Sequence, residues 1–189
     1  VIKTEAEYSM ASGWPRFFAR LFDFWLVGSL ITLSIVSAIF FMDLSVPSWI
    51  YNPIAKILFV LISSAICLTL DAAIYKVFGN TPGKAILGLN VMTLDSQSLT
   101  FGQYLYRNFS MWFRGLALGI PIITFVAMYY EFDNLRKGKP TSYDDSIGCR
   151  VRSKAIGLPR KIIFSVMFLS LCFFVVLLSP LTKHVISNS

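Results

Sequence analysis

The amino-acid sequence predicts an all-α integral membrane protein with about four transmembrane helices and a structured interfacial loop between the second and the third. The first observation is composition: 56% of the 189 residues are apolar and only 14% are charged. A soluble domain would be about half apolar and about a quarter charged. The second observation is that four apolar runs each approach the length of about 20 residues that a helix needs to cross about 30 Å of hydrocarbon.

The apolar runs follow one another along the chain with charged residues at their borders. They cover residues 24–42, 57–75, 108–130 and 162–182. The first run is too long for a cleavable signal peptide, and no small-residue cleavage site follows it. Asp71 interrupts the second run and Arg114 the third. We therefore predict a membrane domain over residues 1–151 with three spans, followed at 152–189 by a basic linker and an additional C-terminal transmembrane helix.

The segments between the runs carry turn signals. Residues 43–53 contain two prolines and interfacial aromatic residues, which predicts a short turn at the membrane surface. After the second run, two apolar stretches, Ile86 to Leu94 and Leu99 to Gln103, flank Asp95 to Ser98, a pattern that favours a hairpin. Because their apolar side chains need burial, we predict that Thr81 to Arg107 is ordered along the membrane surface.

The third run leaves the membrane orientation open. With four plain crossings, the 17 lysines and arginines divide into eight on one side and nine on the other, so the positive-inside rule assigns no orientation. Alternatively, Gly115, Gly119 and Pro121 break the third run into a re-entrant pair of half-helices, which is tolerated where it is buried in protein. From the sequence we favour a plain, kinked crossing.

Three charged residues lie at depths where lipid is expected, namely Arg20, Asp23 and Asp71. A charge at the centre of a membrane helix costs roughly 2.5–3.5 kcal/mol on insertion scales, so it usually faces protein or a water-filled cavity. Arg20 and Asp23 are three residues apart and share a helix face. Because the second run returns towards the same membrane face, Asp71 reaches the same leaflet, and Arg107 begins the third run there. The sequence therefore predicts one polar cluster in a single leaflet.

These three charged residues and the motifs that follow them resemble the RDD family of small integral membrane proteins, which is named for them. The resemblance continues through Thr81-Pro82-Gly83-Lys84, Leu87-Gly88-Leu89-Asn90-Val91, Leu99-Thr100, Arg107 and Tyr143-Asp144-Asp145-Ser146-Ile147-Gly148-Cys149-Arg150-Val151. It covers Trp14 to about Val151, and the last run lies outside it. The resemblance implies a multi-span membrane protein to which transport is often attributed. Cation/proton exchange is among the attributed activities, and no substrate is implied.

Four charged residues are the candidate substrate-binding or ion-binding residues: Asp71, Asp23, Arg20 and Arg107. For the first helix, a purely structural role of its two charges stays open as an alternative. There, Arg20 and Asp23 form only an interfacial ion pair, with the aspartate favoured by the dipole at the helix N-terminus. Asp71 lies deeper, and its alternative role is a structural pairing with Arg20 or Arg107 that locks helices together.

A structural or lipid-facing role is assigned to a four-residue motif, Thr81, Pro82, Gly83 and Lys84. Its first two residues favour a helix start, and its lysine extends to lipid headgroups. The motif is not a phosphate-binding loop. Only three residues separate Gly79 from the glycine of the motif where a P-loop has four, and Ala85 takes the place of the required serine or threonine.

The sequence carries no enzyme signature and predicts neither a metal site nor a cofactor. His184 is the only histidine, and the three cysteines lack metal-ligand spacing. Two functions stay open. In a secondary carrier, Asp71 and Asp23 bind a cation or a proton, and Arg20 competes; burial raises the pKa of a carboxylate and a nearby arginine lowers it. In a non-transporting scaffold, the charges bind partner helices or lipid headgroups.

The net charge of +7 favours contact with anionic lipid headgroups. Nucleic-acid binding is not expected, because no soluble domain remains to carry it. The chain is small for a carrier, which argues for a homodimer. The expected partners are therefore the lipid bilayer, a second copy of the chain and a small cation. The expected location is the bacterial inner (cytoplasmic) membrane.

Overall fold

A computed structural model describes residues 8–42, 52–115 and 121–188. Its elements in chain order are β1 (Tyr8–Met10), α1 (Gly13–Met42), α2 (Pro53–Phe78), α3 (Pro82–Ile86), β2 (Leu89–Thr93), α4 (Phe101–Ser110), a π-helical turn (Met111–Gly115), α5 (Pro121–Arg136), α6 (Ser142–Asp145), β3 (Cys149–Lys154) and α7 (Leu158–Asn188). Three helices are long and apolar enough to cross a membrane, namely α1, α2 and residues 158–178 of α7. Only 11–17% of the residues in their most apolar windows are buried, which leaves their surfaces to lipid or to another chain.

Local sequence signals explain where the second helix begins and ends. The Asn52 side chain accepts a hydrogen bond of 2.9 Å from the Ile54 N–H, and Pro53 occupies the first helical position. Gly79 ends the helix with a φ of 75°, and its N–H donates to the Tyr75 carbonyl at 2.8 Å. This left-handed conformation favours glycine. The capped helix therefore extends beyond both borders of the apolar run 57–75.

The third apolar run does not form a single helix. α4 already ends at Ser110, a π-helical turn follows, and α5 begins only at Pro121. Residues 116–120, with Gly119, lie outside the described residues, as does most of the predicted surface turn at 43–53. A proline cannot donate the backbone hydrogen bond of a helix interior but suits a first turn. Among the described residues, there are thus three candidate membrane-spanning helices, and a fourth crossing stays a prediction without support.

A three-stranded antiparallel sheet is present that the sequence analysis did not predict. Its strand order is β1-β3-β2, with Ser9 opposite Ser153 and Val91 opposite Val151. Part of the predicted hairpin exists, because the Thr93 N–H donates to the Gln97 carbonyl at 2.9 Å. However, a single bridge joins its two arms, and the second arm runs into α4. β2 instead pairs along its length with β3, a strand far away in sequence.

The sheet gathers three helix ends. Because β3 lies between β1 and β2, it holds together the chain before α1, the chain after α2 and the chain before α7. The start of α1, the end of α2 and the start of α7 therefore lie at one end of the helices, called the sheet end below. The long helices leave this end as one bundle, in which α1 contacts both α2 and α7.

The segment from α4 to α5 leaves the sheet end and returns to it. Where α4 begins, the Leu99 N–H donates to the Tyr75 hydroxyl at 3.1 Å. Where α5 ends, a Glu131 carboxylate oxygen accepts a hydrogen bond of 3.0 Å from the Ser142 N–H, and the rings of Trp14 and Phe132 lie 5.5 Å apart. Both ends of this segment therefore lie at the sheet end, which fits the re-entrant alternative and gives no support to the plain crossing favoured from the sequence. Between these ends, the π-helical turn follows α4 and Pro121 begins α5.

With both ends of this segment at the sheet end, the positive charge is no longer divided evenly between the two ends of the bundle. At the sheet end, the basic segment 136–161 joins the arginines near the start of α1 and Arg107 of α4. At the remote ends of the long helices lie Lys56, in the first turn of α2, and Lys183, near the end of α7. The described part of the chain is therefore strongly asymmetric in charge along the bundle axis.

The best-packed core lies between the sheet and the ends of α2 and α4. Its buried members are Ala11, Ala19, Ala72, Tyr75, Leu89, Val91, Leu99, Tyr104, Cys149 and Val151. The rings of Tyr75 and Tyr104 stack with centroids 4.0 Å apart, a contact worth about 0.5–1.5 kcal/mol beyond area burial. The Tyr75 hydroxyl donates to the Val91 carbonyl at 3.2 Å. This packing fixes the sheet, and with it the loop between α2 and α4, against the two helices.

Candidate functional site

Asp23 on α1 binds the first turn of α3. Its Oδ1 accepts a hydrogen bond of 2.6 Å from the Gly83 N–H, and its Oδ2 accepts one of 2.5 Å from the Thr81 hydroxyl. The Lys84 ammonium donates to the same Oδ2 at 3.1 Å. The first turn of a helix has N–H groups without intrahelical partners, and here a carboxylate from another helix satisfies one of them. Only 3% of Asp23 is exposed, so three donors saturate a buried carboxylate.

Gly83 allows this close contact between α3 and α1. A Cβ atom at this position would lie 2.4 Å from the Ala19 carbonyl oxygen and 3.0 Å from the Asp23 carboxylate. Ala19 is itself fully buried. Glycine is therefore required by the approach of the two backbones, which also sets the distance between Asp23 and the α3 N–H.

Asp71 on α2 reaches the same lysine from the other side. Its Oδ1 lies 3.8 Å from the Lys84 ammonium, and its Oδ2 accepts a hydrogen bond of 3.0 Å from the Asn108 side chain. Asn108 also donates to the Leu68 carbonyl at 3.1 Å, which ties α4 to α2. The Asp71 side chain is 16% exposed, compared with 4% for that of Asp23. Asp71 is thus the more accessible and the less saturated carboxylate.

Lys84 is buried between the two carboxylates. Only 4% of the residue is exposed, and its ammonium lies 5.7 Å from the centre of the Tyr104 ring, within the range of a cation–π contact. The predicted extension of this lysine to headgroups is therefore wrong, because the contact of α3 with α1 turns the side chain inward. Burial alone would lower the pKa of Lys84, but the charges of Asp71 and Asp23 raise it above its ordinary value. Lys84 stays protonated.

A second buried cluster surrounds Asp144 of α6. The Arg107 Nε donates to its Oδ1 at 2.7 Å, and the Arg16 Nη1 donates to its Oδ2 at 2.9 Å. Arg16 also donates to the Val151 carbonyl at 3.1 Å. Burial alone would raise the pKa of Asp144, but Arg107 and Arg16 hold it below its usual value. One carboxylate therefore joins α1, α4 and α6 beside β3.

The four candidate ion-binding residues divide between these two clusters. Asp23 and Asp71 both contact Lys84, whereas Arg107 belongs to the Asp144 cluster. Arg20 lies over the Tyr143 ring at 5.7 Å and forms no ion pair with any residue that the structure describes. The ion pair of Arg20 with Asp23 is absent because α3 occupies both oxygens of Asp23.

Sequence reasoning missed several residues of the two clusters. The sequence pattern places Lys84 at the membrane surface and indicates no role for Asn108, Arg16 or Asp144. Asp144 stood within the closing motif of the family resemblance, which was the available signal. Asn108 carried a weaker signal, because it is a polar residue at the start of an apolar run.

The Asp144 cluster also contains a thiol. The Cys149 Sγ lies 3.7 Å from the Asp144 Oδ1, and burial raises the pKa of Cys149 to about 11. A thiol with this pKa is almost wholly protonated at neutral pH and is a poor nucleophile or metal ligand. Within residues 8–42, 52–115 and 121–188, no group of three or more His, Cys, Asp or Glu side chains is arranged to hold a metal ion.

Comparison with known protein families gives a match over most of the chain. The model of the RDD family matches residues 10–185, which is most of the chain and includes nearly all of α7. The match therefore extends well beyond Val151, where the resemblance seen in the sequence ends. No curated protein and no solved structure matches the chain.

Proposed function

The chain belongs to the RDD family and, with its long apolar helices, is a membrane-associated protein. From this premise we propose that it is a small secondary carrier that exchanges a cation for protons at Asp71. One observation carries the proposal: carboxylates from two candidate spanning helices, α1 and α2, share a single buried ammonium. Three close charges then sum to one negative charge, which a bound cation or proton neutralises.

Asp71 is the better candidate for the exchanging group of the pair. Asp23 receives three hydrogen bonds, so the loss of its charge would leave several buried donors without an anion. Asp71 receives one hydrogen bond from a neutral amide and has a distant ammonium. Its greater exposure also gives it a route to water. Carboxylates that bind a proton or an ion in membrane proteins typically face the bundle interior or a water-filled cavity.

In this proposal, Lys84 is the resident cation of the site. When Asp71 is empty and charged, the Lys84 ammonium lies between both carboxylates. When a cation or proton occupies Asp71, the attraction of Lys84 shifts to Asp23. Asn108 would sense the change, because it contacts Asp71 and is followed three residues later by the π-helical turn. Such turns are frequent at functional sites.

We propose further that the sheet end faces the cytoplasm of a bacterial inner membrane, because basic residues flanking the spans gather there. Cysteine labelling tests this arrangement. Re-entry places Lys139→Cys and Lys56→Cys on opposite membrane sides, whereas four crossings would place both on one side. An impermeant thiol reagent applied to intact cells should label Lys56→Cys only. Equal labelling of both positions from one side would contradict the re-entrant fold.

The proposal also covers the partners. The exposed apolar faces of the three long helices fit a bilayer and a second copy of the chain, so we propose a homodimer. The proposed transported ligand is a small inorganic cation, since the site offers two carboxylates that both lie within 4 Å of the Lys84 ammonium. The protein is proposed to be neither an enzyme nor a nucleic-acid-binding protein, and to need no cofactor.

A membrane scaffold is the second candidate function. It is favoured by the saturation of Asp23, whose three donors all come from the loop between α2 and α4. Together with the sheet, this contact ties distant parts of the chain at one end, as a platform for partner helices would require. In this reading the charges are structural and no ion moves.

Flux in proteoliposomes separates the two functions. A pH gradient is imposed across vesicles that contain Na⁺, Li⁺ or K⁺, and proton movement is followed with a pH-sensitive dye. We expect cation-dependent flux for the wild type, none for Asp71→Asn, and wild-type flux for Asp145→Asn, an exposed control. Wild-type flux by folded Asp71→Asn protein would contradict the carrier mechanism. Absence of flux in the wild type with every cation would favour the scaffold.

A further inference from the structure

A small cavity lies beside the start of α1, outside the Asp71 site. It has a volume of about 90 Å³ and lies between the first turns of α1 and the last turns of α5. Arg16 and Arg20 line one side, and the rings of Phe17, Phe132 and Tyr143 form much of the rest. The two arginines are four residues apart and therefore share a helix face. The cavity is thus a mainly apolar pocket with a pair of guanidinium groups.

The charges around this cavity are not balanced. Its lining holds the guanidinium groups of Arg16 and Arg20 and the carboxylate of Glu131, and Arg16 joins it to the Asp144 cluster, which also contains Arg107. Asp144 uses both oxygens for Arg16 and Arg107, and Glu131 uses both oxygens for the backbone N–H and hydroxyl of one serine of α6. Neither carboxylate is within ion-pair distance of Arg20. One positive charge therefore remains without an anion among the residues that the structure describes.

A donor group also remains. The Nε of Arg16, which lines the cavity, is buried and has no hydrogen-bond partner among the described residues. Buried polar groups in proteins are nearly always hydrogen-bonded, so each exception calls for an explanation. A planar guanidinium matches the oxygen geometry of carboxylate and phosphate groups. The imbalance of charge and the unused donor both indicate an acceptor-rich anion.

We infer that this cavity binds the phosphate group of an anionic phospholipid. A volume of about 90 Å³ is sufficient for a phosphate group. The cavity lies where α1 begins its apolar run, at the sheet end, which is the level of lipid headgroups. Its aromatic walls and the exposed Trp14 ring next to them suit the glycerol and the first methylenes of acyl chains. The inference does not depend on whether the protein transports a cation.

Thermal unfolding of the full chain in detergent tests the inference. Phosphatidylglycerol, phosphatidylcholine or inorganic phosphate is titrated at constant ionic strength, and the apparent affinity is taken from the rise in Tm. We expect saturable stabilisation by phosphatidylglycerol, little by phosphatidylcholine, and competition by millimolar inorganic phosphate. Arg20→Gln should weaken the affinity for phosphatidylglycerol by about tenfold. Arg20→Lys, which keeps the charge but not the planar donors, should retain part of it.

Arg20 is the residue to change because Arg16 and Arg107 also hold Asp144, and their variants would lose stability for that reason alone. The matched control is Lys161→Gln, an exposed lysine in the first turn of α7 at the same end of the bundle. It should leave the affinity for phosphatidylglycerol unchanged. Equal losses in both variants would reduce the effect to general surface charge and overturn the inference. Stabilisation by inorganic phosphate alone equal to that by phosphatidylglycerol would overturn the assignment of the phosphate to a lipid.

Discussion

The two buried ionic clusters have opposite composition. In one, Asp23 and Asp71 share the ammonium of Lys84; in the other, Asp144 receives the guanidinium groups of Arg16 and Arg107. Both Asp144 pairs are short, at 2.7 and 2.9 Å, and use both oxygens of the carboxylate. In the lysine cluster, the distances are 3.1 and 3.8 Å.

The difference indicates which cluster is able to change its state. A fixed carboxylate with two guanidinium groups in good geometry gains little from releasing either of them. An ammonium is a compact point charge on a flexible stem, so it can move between two acceptors. The Asp144 cluster therefore holds helices together at the sheet end, whereas the lysine cluster has one saturated carboxylate, Asp23, and one, Asp71, that has a single hydrogen bond and a more distant ammonium.

The largest expected effect follows from removing the charge of Asp144. Asp144→Asn leaves two buried guanidinium groups without a carboxylate, and breaking a buried ion pair in this way costs about 3–5 kcal/mol. We expect a loss of that size in the free energy of unfolding, measured by chemical denaturation in detergent. The neighbouring Asp145→Asn is exposed and should stay within about 0.5 kcal/mol of the wild type. Similar losses of stability in the two variants would contradict the conclusion that the Asp144 ion pairs hold the helices together.

A smaller loss is expected for Gly83→Ala in the lysine cluster. The new methyl group would lie 2.4 Å from the Ala19 carbonyl oxygen, so α3 must move away from α1 and from Asp23. Overpacking of this kind typically costs about 1–3 kcal/mol.

Gly102→Ala is the matched control for that variant. A Cβ atom at Gly102 meets nothing within 4 Å, and alanine in a helix is up to about 1 kcal/mol more favourable than glycine. The control should therefore unfold at the same or a higher denaturant concentration. If Gly83→Ala behaves in the same way as the control, the close approach of α3 to α1 is not required.

The stability that the Asp144 cluster contributes should depend on pH, because the pKa of Asp144 is shifted in the folded protein. Its pKa is lowered in the folded protein, so its contribution to stability is present above its unfolded-state pKa of about 3.9 and is lost as the pH falls through the folded value. We expect the Tm of the wild type to fall more steeply than that of Asp144→Asn between about pH 5 and about pH 2. Parallel curves would show that the Asp144 pairs add no pH dependence.

Hydropathy and helix counting predicted part of this arrangement. They located the three long helices and placed Asp23 and Asp71 at one membrane face, because both depend on local periodicity and on length. The sheet could not be read in the same way. Its strands have three to six residues, and β2 and β3 meet across a long stretch of sequence. Such pairing has no local signature.

The same limit explains the missed members of the clusters. Whether Lys84 faces lipid or protein depends on how closely α3 approaches α1, and that distance is set by Gly83 and Asp23 together. Asp144 lies in a helix of four residues, too short for a periodic pattern. The path of the segment from α4 to α5 is set by the contacts at its two ends. In the sequence, Pro121 is compatible both with a kinked crossing and with a return to the same end.

The smallest expected change in stability is that of Asp71→Asn. The Lys84 ammonium keeps its contacts with Asp23 at 3.1 Å and with the Thr81 hydroxyl at 2.8 Å, and the new side-chain carbonyl still accepts from Asn108. We therefore expect a loss of no more than about 1 kcal/mol, although cation-dependent flux should disappear. Chemical denaturation of this variant and of Asp144→Asn gives the two free energies of unfolding to be compared. A loss as large as that of Asp144→Asn, recovered when Lys84 is also made neutral by Lys84→Met, would show that Asp71 also holds helices together and would favour the scaffold.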